Sequence, residues 1–551
     1  MIRRSPFVLL VVLAVACSSD PQPRAIESPQ TGPTQQPTPG PTATIPQASG
    51  PFARIACDLP PEEIQRVWAG YNPVRSGDIQ FVPDEPNYVG NFASHSGPWA
   101  YLQDVPMFLY GPGHVPAVGK VSRPVTMADL APTLAQHVGF PFDAPDGESL
   151  REAVDPAAAP PKLILTIVWD GGGRDVLDAY PKGWPTVKGL IPDGAWYDDA
   201  TVGSSPSVTP AIHSTLGTGA FPRTHGIVDL RFRVEGRVEP SAFERATLMI
   251  GPSMADLYDV AQGNQPVIGM VGAEGTLGMI GHGALWEGGD RDIAAGQRAG
   301  EWGLADTNLQ NYEFPRYVTR LPGLDEAIRE SDGEDGTLDG LWMGDVDLSV
   351  PDARTLTPGY AKYQTGVIRE IIRREGFGAD DVPDLLFVNY KQIDKVGHKY
   401  SFPSPQMERV VRSSDQAFSD LIDILDREVG EDQWVMALTA DHGSTPNPET
   451  TGAIIVDNFE LNRDLLAEFD GDGDDRPVIQ SLRVTQAWVD LEELEANGFT
   501  IDDMGRYLMD YTHAENTVDP SAVSAGRGGV KLFAAAFPGD VLETDLPCIR
   551  R

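Results

Sequence analysis

The chain has 551 residues, 41% of them apolar, enough to bury a large core as one big α/β domain or two smaller ones. Its formal net charge of -38 excludes nucleic acid and anionic membrane surfaces as electrostatic partners, because the global field repels both.

The first residues read as a targeting segment. Arg3 and Arg4 precede an apolar run from Phe7 to Ala16, too short to span a membrane as a mature helix and shaped like a secretory signal. Ala14-Val15-Ala16-Cys17 resembles a bacterial lipobox, with Ala14 where Leu is more usual. Residues 1–17 are therefore read as a lipoprotein signal, Cys17 as a lipidated amino terminus, and the protein as exported and anchored at a cell-surface or periplasm-facing membrane, with an ordinary signal peptide cleaved nearby as the alternative. Residues 18–52, rich in Pro, Thr, Gln and Ser, cannot bury enough surface to fold and are expected to form a disordered tether.

Residues 53–152 would ordinarily be a separate amino-terminal domain, followed by an Ala/Pro linker at 153–161. Leu163 to Trp169 is an apolar strand ending in Asp170 and a Gly-Gly-Gly turn. Thr209 stands where a helix begins: Thr is a good N-cap and Pro210 suits the first helical position. A hydroxyl there faces the positive end of a helix, a favourable place for a phosphate. Pro266 to Gly272 reads as a buried strand and Ile280 to Asp292 as a Gly-rich loop, while residues 301–358 give mixed signals and no assignment. Ala361 to Arg374 is helical by pattern, Asp384 to Tyr390 is a strand running into Gln-Ile-Asp394-Lys-Val-Gly-His398, and Arg409 to Val429 has helical spacing. Trp434 to Thr439 is a strand ending at Asp441-His442-Gly443, and residues 460–541 read as a smaller α+β section with a strand at Val530 to Ala534. Strands alternating with helices predict a mostly parallel sheet covered on both faces.

Three separate strands thus each deliver an Asp to the carboxyl edge of the sheet, where ligands of open α/β folds bind: Asp170, Asp394 and Asp441. Two bring a His with them, His398 and His442, and imidazoles with carboxylates are zinc donors. Thr209 with His213, Thr215, Thr218-Gly219, Pro222 and His225-Gly226-Ile227 resembles the nucleophile segment of the alkaline phosphatase superfamily, in particular its type I phosphodiesterase/nucleotide pyrophosphatase and PafA-like branches. The resemblance covers most of residues 57–548. It implies an α/β alkaline-phosphatase-like fold, with a smaller α+β cap section at about residues 455–545. It also implies two zinc ions and a Thr209 nucleophile that passes through a phosphothreonine intermediate. Asp170, Thr209, Asp441 and His442 surround one zinc on this reading, and Asp394, His398 and His95 hold the other. Whether manganese or iron can replace zinc is left open.

His95 lies far from the other ligands in sequence. Its run, Ala93-Ser-His95-Ser-Gly-Pro-Trp, and the runs from Tyr71 to Asp78 and from Arg123 to Leu134, resemble the carboxyl-terminal section of the same superfamily. The chain is therefore read as circularly permuted, with 53–152 as the displaced section and 162–548 as the main part of the catalytic domain. His513, the only His after His442, is the alternative third ligand. Of the 3 cysteines, Cys57 and Cys548 remain in the mature body. The permuted reading makes them neighbours, so a Cys57 to Cys548 disulfide is expected.

The substrate is read as a small phosphate ester. Diesterase relatives carry an Asn three residues after the nucleophile, where this chain has Ile212. PafA-like monoesterases use an Asn after His-Gly-Ile and a Lys/Arg pair after the next strand, where this chain has Asp229-Leu230-Arg231 and Ala273-Glu274-Gly275. A doubly charged monoester lacks its clamp on this reading, which favours a phosphodiester or phosphonate-type ester. Phosphomonoester hydrolysis is the rival, and a non-catalytic anion-binding surface lipoprotein is the alternative of another class. Arg231 or Arg233 could supply a replacement cation, though each reads first as a surface residue. His213, His225 and His282 are assigned to packing or support, His114 to a turn and His137 to a helix. Asp470, Asp472 and Asp474 space carboxylates like part of a calcium loop, but without its distal Glu the run reads first as a solvated acidic turn.

Overall fold

Leu163–Trp169 is apolar at nearly every position, and both of its faces are buried. Leu163, Leu165, Ile167 and Trp169 enter one core cluster, Ile164 and Val168 the other. A strand with two apolar faces belongs in the middle of a sheet covered on both sides. The computed structural model, which describes residues 50–550 apart from 91–92, 241 and 518–525, has that arrangement. Cys17, the signal segment and nearly all of the tether lie outside the described residues. Pro51 and Phe52 do not belong to the tether: the Pro51–Asp58 helix begins there, and Phe52 is buried.

The main sheet takes β1 (Met107–Tyr110), β2 (Gly119–Thr126), β3 (Leu163–Trp169), β4 (Ala195–Thr201), β5 (Ile268–Ala273), β6 (Asp292–Arg298), β7 (Glu301–Trp302), β8 (Tyr312–Glu313), β9 (Asp384–Tyr390) and β10 (Trp434–Thr439). Their order is β7-β6-β5-β9-β3-β10-β1-β4-β2, with β8 beside β6. β9, β3 and β10 run parallel, so their carboxyl ends share one edge. β1 runs antiparallel to both of its neighbours. Helices Pro358–Glu375 and Pro405–Glu428 cover one face, while Leu130–His137, Thr209–Thr218 and Met254–Ala261 cover the other.

Residues 53–152 are not a separate domain, since the described residues form one compact unit. Met107–Tyr110 pairs with Trp434–Thr439 inside the main sheet. Ile79–Pro83 is an inner strand of a second, antiparallel sheet whose other strands are Ile479–Leu482, Gln486–Val489 and Phe533–Pro538. The cap is thus α+β but needs a strand from far upstream. Its last strand starts three residues later than predicted and ends in Pro538. Phe533–Pro538 is an edge strand, where a residue without an N–H is tolerated.

Cys57 and Cys548 form a disulfide, Cα atoms 5.5 Å apart across 491 residues of sequence. No helix among the described residues is long and apolar enough to cross a membrane.

Candidate active site

The shared carboxyl edge of β9, β3 and β10 gathers the predicted residues. Asp170 follows β3 directly and is fully buried. Gly171, at φ 73°, has no Cβ to collide with Asp394 Cα, which would lie 2.8 Å away. A side chain there would push apart the strand end and the helix that must meet. Asp394 and His398 lie one turn apart on the Gln392–Tyr400 helix, with His398 Nε2 3.3 Å from Asp394 Oδ1. Asp441 and His442 follow β10, and the Gly171 amide fixes Asp441 by donating to its Oδ1 at 3.1 Å. Gly443 passes so close to Tyr101 that a Cβ would meet its carbonyl oxygen.

Thr209 is the first residue of the Thr209–Thr218 helix. It is not the N-cap, a position that falls to the extended Val208, and no side-chain cap bond is made. The reason is tertiary: Thr209 Oγ1 accepts from Lys391 Nζ at 2.7 Å.

His95 arrives on the upstream segment. Its Nδ1 donates to the Ser207 carbonyl (3.0 Å), and Ser207 Oγ donates back to the His95 carbonyl (2.7 Å). Its Nε2 stands 3.4 Å from Asp394 Oδ1. His513 instead lies in the cap, its amide bonded to the Val530 carbonyl.

Two donor groups result: Asp170, Asp441 and His442, and His95, Asp394 and His398, the ligand atoms of each within 4.8 Å of one another. Each imidazole has its Nδ1 donating to a backbone carbonyl, that of Ser207, Ala93 or Gly443. The Nε2 lone pair then faces the cluster, which is how protein-bound metals are usually met by histidine. Asp394 Oδ1, Asp441 Oδ2 and His442 Nε2 are buried without hydrogen-bond partners among the described residues. Orphaned acceptors of this kind are costly unless a cation engages them, so the donor set fits a pair of borderline divalent ions.

The electrostatics agree. Burial opposes every charge here. For His442 the neighbouring carboxylates of Asp441 and Asp170 outweigh it and push the pKa up to about 9, so that metal binding at Nε2 would displace a proton. His95 is held well below the usual histidine range by burial and by the neighbouring His442 and His398. Asp441 is raised by burial and by the charge of Asp170. Three buried carboxylates share one fixed cation, a deficit of positive charge that divalent ions would fill.

That cation is Lys391, which the sequence reading passed over. Its Nζ lies 2.7 Å from Asp170 Oδ1 and 3.0 Å from Asp394 Oδ2, as well as against Thr209. Burial disfavours its charge, but Asp170, Asp394 and Asp441 raise its pKa above the ordinary lysine value. Asn389 was also missed: its amide donates to Asp170 Oδ2 (2.8 Å) and meets His213 Nε2 (3.1 Å). His213 supports Thr209 by donating from Nδ1 to its carbonyl (2.8 Å). Both missed residues follow from position: Asn389 is in β9 and Lys391 directly follows that strand, beside the strand that delivers Asp170.

The remaining candidates fall outside the cluster. Arg233 pairs with Asp78 (2.8 Å) and Arg231 is exposed. Asp229 is buried against Arg483 (3.3 Å). His225 packs on Thr215, and His282 pairs with Asp256. Asp472 and Asp474 group with Glu493, whereas Asp470 accepts from the Val478 amide (3.1 Å), so the predicted calcium trio does not assemble. A cleft of about 390 Å³ opens over Thr209, Lys391, His95, Asp394 and His398, with Leu230, Phe459 and Arg483 on its walls.

The profile of the family described as type I phosphodiesterase / nucleotide pyrophosphatase matches residues 164–526. Alkaline phosphatase PafA of Elizabethkingia meningoseptica is 28% identical over 149 residues, 26% of this chain and 27% of that protein. Alkaline phosphatase PhoV of Synechococcus elongatus is 30% identical over 100 residues, 18% of this chain and 17% of that protein. The matched stretches thus span about a quarter or less of these relatives. The solved structure of wild-type alkaline phosphatase PafA aligns over 68% of this chain and 84% of that chain, with TM-score 0.47 and 17% identity.

Proposed function

Because this chain belongs to the type I phosphodiesterase / nucleotide pyrophosphatase family, we propose that it is a metal-dependent phosphoric ester hydrolase in which Thr209 is the nucleophile. The single observation that carries the reading is Thr209 Oγ1 held by Lys391 beside Asp170, with unpartnered ligand atoms of Asp394, Asp441 and His442 around it.

Asp170, Thr209, Asp441 and His442 would hold one zinc, and Asp394, His398 and His95 the other. When bound, such ions supply Lewis acidity that lowers the pKa of the Thr209 hydroxyl and stabilises the leaving oxygen. The protein's own part is positional and electrostatic. The Lys391 ammonium at 2.7 Å favours the alkoxide of Thr209 over its hydroxyl. His213 and Asn389 fix Thr209 and Asp170 relative to each other. The start of the Thr209–Thr218 helix favours an incoming phosphoryl group. Attack by Thr209 Oγ1 on phosphorus, its proton lost to solvent, forms a P–O bond and breaks the bond to the leaving oxygen, giving a phosphothreonine ester that water then cleaves.

A singly charged diester is the preferred substrate, since Ala273 and Gly275 stand where a Lys/Arg pair was expected, leaving Lys391 and Arg483 as the cations lining the cleft. Phosphomonoester hydrolysis is the second reading, supported by Lys391 next to the nucleophile and by relatives named alkaline phosphatases. Kinetics on zinc-loaded protein distinguish them: bis(p-nitrophenyl) phosphate is expected to show the higher kcat/KM, and p-nitrophenyl phosphate turning over much faster would reverse the preference. A non-catalytic anion-binding role requires that neither ester be cleaved. Anchoring through Cys17, and a circular permutation in which residues 53–152 replace a carboxyl-terminal section, complete the reading. Metabolic labelling with a fatty acid that fails to mark the protein would dispose of the anchor.

A further inference from the structure

A second group of carboxylates lies outside the cleft. Asp259 is on the Met254–Ala261 helix, Asp292 opens β6, and Asp290 is in the loop before it. One oxygen of each lies within 4.8 Å of the others. Asp259 and Asp292 are 4% and 6% exposed, while Asp290 faces solvent. Asp259 Oδ1 is buried with no hydrogen-bond partner among the described residues. The nearby cations are directed elsewhere: Arg291 reaches Glu313 (4.0 Å), and His282 is taken by Asp256 (2.9 Å). The loop is not free to relieve the repulsion. Asn264 donates from its side chain to the Gly288 carbonyl (3.0 Å) and from its backbone to the Asp259 carbonyl (2.9 Å), which ties the loop to the helix end.

Burial and the charges of Asp290 and Asp256 push Asp259 up to about 7, and burial with Asp259 and Asp256 raises Asp292 well above the carboxylate range. The pocket therefore resists its own charge. Two buried carboxylates held beside a third on a pinned loop, with no cation between them, are strongly unfavourable, and a divalent cation removes that cost.

We propose that Asp259, Asp290 and Asp292 form a calcium site. All available donors are oxygens, which selects a hard cation over zinc. The open side at Asp290 admits the waters that calcium's larger, irregular shell accepts. The Asp472, Asp474 and Glu493 group differs, because Arg476 already sits 3.7 Å from Glu493 and both aspartates are exposed.

The test is calorimetric titration of CaCl2 into the zinc-saturated full chain in calcium-stripped buffer, paired with thermal unfolding. The Asp259→Asn/Asp292→Asn protein should bind one calcium fewer than the parent. It should also unfold at a higher temperature than the calcium-free parent, since its repulsion is gone. Millimolar calcium should raise the parent's Tm by several degrees and leave the variant's unchanged. Asp472→Asn/Asp474→Asn should keep the calcium. If the core variant does not fold, Asp290→Asn at the exposed edge should weaken binding by about tenfold or more. No calcium bound to the parent, or an equivalent that survives Asp259→Asn/Asp292→Asn or Asp290→Asn undiminished, would overturn the proposal.

Discussion

Asp170, Asp394 and Asp441 on one side and Asp259, Asp290 and Asp292 on the other are each three carboxylates at the ends of neighbouring elements, yet they are built for different company. The first set is interleaved with three imidazoles and Lys391 and draws on four distant parts of the chain, including His95. The second contains only oxygens and comes from one helix, one loop and the strand after it. Nitrogen donors with fixed tautomers suit a borderline metal that does chemistry, whereas an all-oxygen set suits a hard ion that holds a loop. Count of acids alone does not distinguish a reactive centre from a structural one. What stands between the acids does.

The comparison is broken most forcefully at Thr209. Thr209→Ala should lower ester hydrolysis by about a thousandfold or more, because it removes the nucleophile. Zinc content and calcium-dependent stability should stay near parental values. Loss of zinc without loss of turnover in that variant would merge the two clusters' roles.

Removing the fixed cation sharpens the contrast. Lys391→Met leaves the first set with carboxylates and imidazoles alone, and kcat should fall by about a hundredfold, the scale of one preorganised electrostatic contact. Steady-state kinetics in which KM rises while kcat holds would assign Lys391 to substrate binding instead.

The clusters should also respond differently to loosening the upstream segment. Replacing Cys57 and Cys548 by Ser should cost about 2–5 kcal/mol in denaturant unfolding. It should weaken zinc retention through His95 more than calcium binding at Asp259, which uses no residue of that segment. Equal weakening of both would mean a global effect.

The smallest effect concerns an ion pair within the same segment. The Arg123 side chain pairs with both Glu152 oxygens, at 2.9 to 3.2 Å, and this hydrogen bonding holds the Glu152 carboxyl down at about 2. A depressed acid contributes stability that is present above about pH 4.5 and lost as pH falls toward 2. Glu152→Gln should flatten that part of the stability profile by only about a few tenths of a kcal/mol, since the pair is partly solvated.

The β3, β9 and β10 strands were legible to the residue, because a strand buried on both faces must be a continuous apolar run. Their position also placed Asp170, Asp394 and Asp441 at one edge. Residues 301–358 were not legible, being short strands, turns and the Leu324–Asp332 helix, with too little periodicity for a pattern to form. The strand at Ile79–Pro83 belongs to a cap whose other strands lie at the far end of the chain, a pairing that no local pattern specifies. His95 was found through resemblance alone, since nothing around it is periodic or acid-paired in sequence. Lys391 was missed because its role exists only where β9 meets β3. The Asp470 run is legible as an exposed acidic turn, but not its partners: Asp470 accepts from Val478, and Glu493 from the next helix joins Asp472 and Asp474.

The most direct test is the zinc count of His95→Ala. The parent chain should hold two zinc ions tightly and the variant one, with the loss confined to the Asp394 and His398 group. Two zinc ions held by His95→Ala as tightly as by the parent would contradict the convergence of the upstream segment on the reactive centre.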